Sequence, residues 1–449
     1  MQNTITKTRP EVLAPAGTLE KLKVAIDYGA DAVYIGGQAY GLRSRAGNFT
    51  FEEMAEGVAY AAAHDAKVYV AANMVTHEGN EKGAGEWFRT LRDLGISAVI
   101  VSDPALIAIA AAEAPGLAIH LSTQASATNY ETLQFWQKLG LERVVLAREV
   151  SMEELAEIRK HTDLEIEAFV HGAMCISYSG RCVLSNYMSL RDANRGGCSQ
   201  SCRWKYDLYD MPFSGAERDQ ESARTADGGR KVPIKKSING QIPEEFSMSA
   251  VDMSMIEHIP DMIENGVNSL KIEGRMKSIH YVSTVSMVYK KAIDAYLDSP
   301  ETFENIKPQL VDELWKVAQR ELDTGFYYGT PDENKQLFGS RRKIPEYKFV
   351  GEVVSYDENT KVATIRQRNV IEEGDAIEFY GPGFRHVDTL VQNLRLAETD
   401  EHIDRAPNPM ELLHIDVPFA VQTGDMIRKS GAGLINLYEK SGAAKTVRV

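Results

Sequence analysis

Residues 98–121 read AVIVSDPALIAIAAAEAPGLAIHL. Two short apolar runs, Ala98-Val-Ile-Val and Leu117-Ala-Ile-His-Leu, bracket a helical segment, which is one βα repeat followed by the next strand. The same alternation recurs outward in both directions. Toward the amino terminus stand Glu11-Val-Leu-Ala, Ala32-Val-Tyr-Ile and Lys67-Val-Tyr-Val-Ala-Ala; toward the carboxyl terminus stand Arg143-Val-Val-Leu, Glu165-Ile-Glu-Ala-Phe-Val and Ser269-Leu-Lys-Ile. That makes eight candidate strands, nearly continuous in apolar residues as strands covered on both faces must be.

The intervening segments carry helix signals. Thr50 with Glu53 and Ser151 with Glu154 fit capping boxes, which satisfy the orphan backbone donors of a helix start. Leu19, Leu22, Ala25 and Ile26 recur at helical period, as do Met54, Val58 and Ala61. Eight parallel βα units predict an α/β fold, a TIM-type (β/α)8 barrel, rather than an open doubly wound sheet. The first strand is not followed by the Gly-x-Gly-x-x-Gly turn of a dinucleotide fold.

About a hundred residues separate the seventh and eighth strands, more than one helix and two loops need. The reading places an insertion at 173–268, before the last strand. Its later part, Phe213 to Gln241, is polar and poor in apolar residues and predicts a surface excursion. Helical stretches are expected over His280 to Asp298 and Val311 to Glu321. From Pro345 the pattern turns to short β runs, among them Phe349-Val-Gly-Glu-Val-Val, Val362-Ala-Thr-Ile, Ala376-Ile-Glu-Phe-Tyr and His414-Ile-Asp-Val. The expected domains are thus a barrel over 1–340 and a small C-terminal all-β barrel over 345–449.

A net charge of −14 excludes a general nucleic-acid binder held by overall charge. Local basic clusters remain, at Lys235-Lys236, Arg341-Arg342-Lys343 and Arg366 with Arg368; any of them can be an ordinary solvated face. No run approaches the ~20 apolar residues of a membrane span. The first residues lack the apolar core of a secretory signal, so a cytoplasmic location and no membrane partner are expected.

All four cysteines of the chain, Cys175, Cys182, Cys198 and Cys202, fall in one window, with six, fifteen and three residues between neighbours. Thiols stay reduced in the cytosol and a large core needs no staples, so disulfides explain them poorly. Zinc commonly takes four thiolates, usually from close Cys-x2-Cys knuckles, which this spacing lacks. An iron–sulfur cluster also takes four thiolates and tolerates wider separations. Spacing leaves both open. Gly172, Gly180, Gly196 and Gly197 flank the cysteines and would let backbone approach an inorganic core. His171 stands close enough to activate a nucleophilic Cys175, but one nucleophile leaves three clustered thiols unexplained.

Through Glu167-Ala-Phe-Val-His-Gly-Ala-Met-Cys175-Ile-Ser-Tyr-Ser-Gly-Arg-Cys182-Val-Leu-Ser185, the chain resembles the peptidase U32, or collagenase-like, family. Further resemblance runs through Leu13-Ala-Pro-Ala-Gly17, Ala32-Val-Tyr-Ile-Gly36, Arg45-Ala-Gly-Asn-Phe49 and Lys271-Ile-Glu-Gly-Arg275. It implies an iron–sulfur-dependent RNA hydroxylase, with a 4Fe-4S cluster on the four cysteines and tRNA as partner. It further implies 5-hydroxyuridine formation at the wobble position with prephenate as hydroxyl source. An electron donor or a second subunit of the same family are the other expected partners. Two alternatives stand beside it: a peptidase, as the family name suggests, and a zinc-stabilised RNA-binding protein.

Active sites of barrels lie at the carboxyl ends of the strands. The candidate catalytic residues there are Asn73, Asp103, Gln124, Glu149, His171 and Glu273. Arg43, Arg45, Arg148, Lys271 and Arg275 are candidate substrate-binding residues, since guanidinium forks match phosphate and carboxylate groups.

Overall fold

The computed structural model describes residues 8–42, 48–209, 232–233, 245–332, 335–337 and 347–430. Eight parallel strands close on themselves: β1 Glu11–Pro15, β2 Ala32–Gly36, β3 Lys67–Ala72, β4 Ala98–Val101, β5 Ala118–Leu121, β6 Arg143–Val145, β7 Glu165–Ala173 and β8 Ser269–Ile272. Each pairs with the next up to β7, and β8 pairs with both β7 and β1, Ser269 lying opposite Glu167 on one side and Glu11 on the other. The eight runs expected from sequence are these strands. β2 and β4 are buried along their whole length, as parallel strands inside a ring of helices require.

Both capping boxes form. Thr50 and Glu53 bond reciprocally at the start of helix Phe51–Ala62, as do Ser151 and Glu154 before helix Met152–His161. Leu22, Ala25 and Ile26 are the buried stripe of helix Leu19–Asp27.

The barrel interior is charged. Glu167 on β7 is 0% exposed and takes Lys271 Nζ of β8 at 2.6 Å and Arg143 Nη1 of β6 at 3.4 Å. Arg143 also reaches Glu165, at 2.6 Å, and Glu11. Ser269 Oγ donates to Glu11 at 2.7 Å. Alternating partners let these charges survive burial that would be prohibitive for any one alone.

The insertion before β8 is present. It contains helix Leu184–Ser189, a short strand Tyr206–Tyr209, and Asp252–Ser254, which pairs antiparallel with the last residues of β7. Of the polar segment 213–241 only 232–233 are among the described residues.

Two compact units divide the chain, one of residues 1–19, 32–276 and 320–343, the other of 20–31, 277–319 and 344–449. The barrel strands and all four cysteines lie in the first. The second joins helices Ile279–Asp298 and Pro300–Trp315 to an antiparallel β region. Helix Pro300–Trp315 corrects the expected Val311–Glu321: Ser299 caps it through Thr302 N, Pro300 occupies the first turn, and Pro308 is absorbed inside the helix. The β region is all antiparallel, with strands in the order 385–390, 376–381, 426–430, 347–357, 362–367, 412–416, 395–396. Val353, Ile365, Ile377, Phe379, Leu413 and Ile427, drawn from across that order, share one core, so the sheet is curled around it.

Arg428 anchors the second unit. It is 0% exposed, with Nε 2.7 Å from Glu378 and Nη2 2.9 Å from Glu313. Lys316 pairs with both carboxylates and His386 Nδ1 lies 3.1 Å from Glu378. Glu313, Glu378 and His386 bring ligand-type atoms within 4.8 Å of one another, but Arg428 and Lys316 already supply their counter-charge. Arg366 and Arg368, a basic cluster in the sequence, both pair with Glu352 at 2.9 Å. The clusters Lys235-Lys236 and Arg341-Arg342-Lys343 lie outside the described residues.

Candidate functional site

The cysteine segment begins where β7 ends. His171, 3% exposed, is still in the strand, and its carbonyl accepts from Glu273 N at 2.8 Å. Gly172 takes φ +108, a left-handed conformation that glycine adopts without strain, and turns the chain toward Cys175.

The loop Cys175–Cys182 is pinned to the ends of β5 and β6 through Ser179. Glu149 accepts from Ser179 N at 2.8 Å and from Ser179 Oγ at 3.0 Å, and Ser126 Oγ donates to the Ser179 carbonyl. The next residue, Gly180, has φ +70 and packs on the Gln124 carbonyl so closely that a Cβ would overlap it. Any other residue would have to move that backbone.

The second cysteine pair returns to the first. Asn194 Nδ2 donates to the Cys182 carbonyl at 3.2 Å, and Arg203 Nη2 lies 3.5 Å from the carbonyl of Met174 beside Cys175. Ser185 Oγ accepts from Ser199 N at 3.2 Å, tying helix Leu184–Ser189 to the loop carrying Cys198. Val75 N donates to the Asn194 carbonyl at 3.0 Å, and Gly196, at φ +88, lies against Leu42 O. The segment is therefore fastened to the loops after β2, β3, β5 and β6.

All four cysteines are free thiols. Cys202 senses the other three electrostatically, and Cys175 senses Cys182 and Cys198, so the set is one cluster in space as well as in sequence. Cys175 meets solvent on one side, yet desolvation by the surrounding protein pushes its thiol up, opposed by the Ser177 backbone N–H and by Arg148. Burial pushes Cys202 up to about 11, opposed by Arg203. Thiols so placed favour the neutral form until a positive centre arrives. Four thiol donors set in a glycine-lined segment are a donor set that fits an iron–sulfur cluster; zinc takes four thiolates as well.

Arg148 is the central rim residue. Its Nη2 pairs with Glu273 at 3.0 Å, its Nη1 donates to the Ala173 carbonyl at 3.2 Å, and its guanidinium sits 4.0 Å from the centre of the Phe169 ring. Arg148, Glu149, His171, Glu273 and, through its backbone, Gln124 thus meet around the start of the cysteine loop.

The other candidates have structural engagements. Asp103 caps helix Pro104–Glu113 through Ala105 N and Leu106 N, while its second oxygen accepts from Thr76 N at 2.8 Å. Asn73 Oδ1 accepts from Leu42 N at 3.3 Å. Lys271 lies in the barrel interior, its ammonium 4.6 Å from the Tyr34 ring centre as well as on Glu167. Arg275 is 4% exposed, and its side chain passes the α-carbon of Gly36 where a Cβ would overlap the guanidinium; Gly17 faces the Arg275 carbonyl in the same manner. Three of the motifs noted in sequence, around Gly17, Gly36 and Arg275, thereby prove to be one packing arrangement. Arg43 and Arg45 lie outside the described residues.

Ser179 and Arg203 escaped the sequence reading although one lies inside the cysteine window and the other directly after it. Residue type alone does not distinguish the serine that pins a loop from its neighbours.

The family model described as Peptidase family U32 matches residues 17–337, and that of the Peptidase family U32 C-terminal domain matches 345–428. The chain is 47% identical over 425 residues to tRNA hydroxylation protein P1 of Bacillus subtilis, covering 95% of this chain and 96% of that one. It is 36% identical over 404 residues to tRNA hydroxylation protein P of Escherichia coli, covering 83% and 86%. It is 34% identical over 295 residues to a 23S rRNA 5-hydroxycytidine synthase of Escherichia coli, covering 66% and 41%.

Proposed function

The chain belongs to peptidase family U32, and on that premise we propose that it is an RNA hydroxylase that acts on tRNA and holds an iron–sulfur cluster on Cys175, Cys182, Cys198 and Cys202. One observation carries the cofactor reading: four free thiols brought within electrostatic reach of one another at the carboxyl ends of the barrel strands. Relatives named for hydroxylation of tRNA and of rRNA support the reaction class.

When bound, the cluster supplies the electron-transfer or Lewis-acidic centre that oxygen insertion at a pyrimidine carbon requires and that ordinary side chains lack. The chain's own residues do the rest. Glu149 and Ser179 hold the first cysteine loop in its ligating shape, and Arg148 and Arg203 offset negative charge at the thiolates. Arg148 and Glu273 are the polar groups at the rim beside the loop, where a substrate anion would meet the guanidinium.

In its finer form the proposal is conversion of the wobble uridine to 5-hydroxyuridine in the cytoplasm, with prephenate as the source of the hydroxyl group. Protein purified without oxygen should contain iron and acid-labile sulfide and absorb in the visible. Cys175→Ala and Cys198→Ala variants should lose both. Nucleosides from a strain lacking the gene should lose 5-hydroxyuridine from tRNA and regain it with the wild-type chain only. Tightly held zinc, or casein cleavage abolished by the cysteine variants, would replace this reading with one of its rivals.

A further inference from the structure

The cysteine segment presents apolar side chains to solvent. Tyr178, 68% exposed, stands between Cys175 and Cys182 in sequence; Tyr187, 75% exposed, and Leu190, 94% exposed, follow Cys182. Val183, Tyr187 and Leu190 are spaced at i, i+4 and i+7, so they share one face of helix Leu184–Ser189 and its flanks, while Ser185 is buried beneath. Leu190 adopts φ +55, a conformation that costs a leucine energy. Neither tyrosine ring stacks on another aromatic side chain among the described residues.

Charge says what this face would accept. Residues 174–205 contain five basic side chains, Arg181, Arg191, Arg195, Arg203 and Lys205, against one acidic, Asp192, a net +4 inside a chain of net −14. Arg181 and Arg191 are exposed and follow the two tyrosines by three and four residues in sequence. Tyrosine and arginine are common at protein interfaces too, and what favours a polyanion here is the net positive charge gathered on one segment of an acidic chain. Open aromatic faces interleaved with arginines are the arrangement that receives single-stranded nucleic acid, bases on the rings and phosphates on the guanidinium groups.

We propose that Tyr178 and Tyr187 are stacking platforms for unpaired bases of the RNA, with Arg181 and Arg191 on the adjoining phosphates, so that a loop nucleotide is held beside the cysteine cluster. This rests on the RNA-hydroxylase reading and adds to it the residues that select a loop over a helix: a stacked duplex offers no free base face.

The full-length protein, with its iron content measured, is titrated with a labelled stem-loop RNA carrying uridine in its loop and with a fully paired duplex of equal length. Stem-loop binding should exceed duplex binding. Tyr178→Ala and Tyr187→Ala should each weaken stem-loop binding by about 5- to 150-fold, the range of one lost base stack. Tyr178→Phe and Tyr187→Phe, which keep the ring, should bind within about twofold of wild type, whereas Tyr187→Leu, which keeps only apolar bulk, should bind like the alanine variant. Arg191→Gln should lower the salt slope by about 0.7, as for one lost single-strand phosphate contact.

Alanine variants that bind the stem-loop as well as wild type overturn the inference, even if the protein hydroxylates RNA normally. The same follows if they instead lose a co-purifying protein. Tyrosine-dependent stem-loop binding by a protein that leaves uridine unmodified upholds the platform and removes the hydroxylase reading.

Discussion

Arg148, after β6, and Glu273, after β8, meet over the end of β7, Nη2 to Oε2 at 3.0 Å, and the same guanidinium holds the carbonyl of Ala173, two residues before Cys175. A fork that serves a carboxylate and a carbonyl at once cannot be replaced by a point charge. Arg148→Lys should therefore cut hydroxylation at least tenfold while iron per chain, measured colorimetrically, stays at the wild-type level. Loss of iron in that variant would make Arg148 a scaffold of the cluster loop.

Gly180 is the tightest point of the first cysteine loop. Its φ of +70 and its contact with the Gln124 carbonyl both exclude a β-carbon. Gly180→Ala carries a left-handed penalty of roughly 1–3 kcal/mol on top of a backbone displacement. Anaerobically reconstituted Gly180→Ala should retain less iron than wild type after a chelator challenge. Glu149→Ala, which removes the carboxylate holding Ser179, should do the same.

Two buried histidines predict acid sensitivity. Burial holds His280 down to about 3, with Arg428 and Lys316 adding to the effect against Glu313 and Glu378; burial likewise holds His120 well below the ordinary imidazole range, assisted by Arg143, Lys271 and Lys67. Their folded pKa values lie below the unfolded value, so the unfolded chain binds the extra protons. The stability they contribute is present above about pH 6.5 and is lost as pH falls toward 3. Each histidine should contribute a slope of about 1.4 kcal/mol per pH unit in that window. Urea unfolding at several pH values should show it, and His280→Gln or His120→Gln should each remove one such slope.

Arg428 in the second unit balances two carboxylates. Burial by itself would raise Glu378, but Arg428, His386 and Lys316 hold it well below its ordinary range, and Arg428 with Lys316 lowers Glu313 in the same way. Arg428→Leu leaves two buried acids sharing Lys316 as their remaining cation and should cost about 3–5 kcal/mol, read as a fall in the urea midpoint. The triple change with Glu313→Gln and Glu378→Gln should recover part of it, because no buried charge is then left alone.

Much of this protein is written locally along its chain. Strands β1 to β8 are runs of apolar and β-branched residues, Thr50 with Glu53 and Ser151 with Glu154 mark helix starts, and Cys175 to Cys202 crowd into one window. Short-range periodicity, capping and clustering act over a few residues, so a linear sequence displays them.

Side-chain roles behaved differently. Asp103 at a strand end reads as a catalytic acid, yet both its oxygens are committed, to a helix cap and to Thr76. Lys271 reads as a substrate anchor, yet its ammonium is spent on Glu167 inside the barrel. Arg275 owes its place to Gly17 and Gly36, far away in sequence. A charged group's role follows from the partner that compensates it on burial, and such partners are chosen by the closure of the barrel. Sequence by itself thus determined the βα repeat and the thiol cluster, whereas only the tertiary structure decided which rim groups remain beside those thiols and which are consumed in holding the fold.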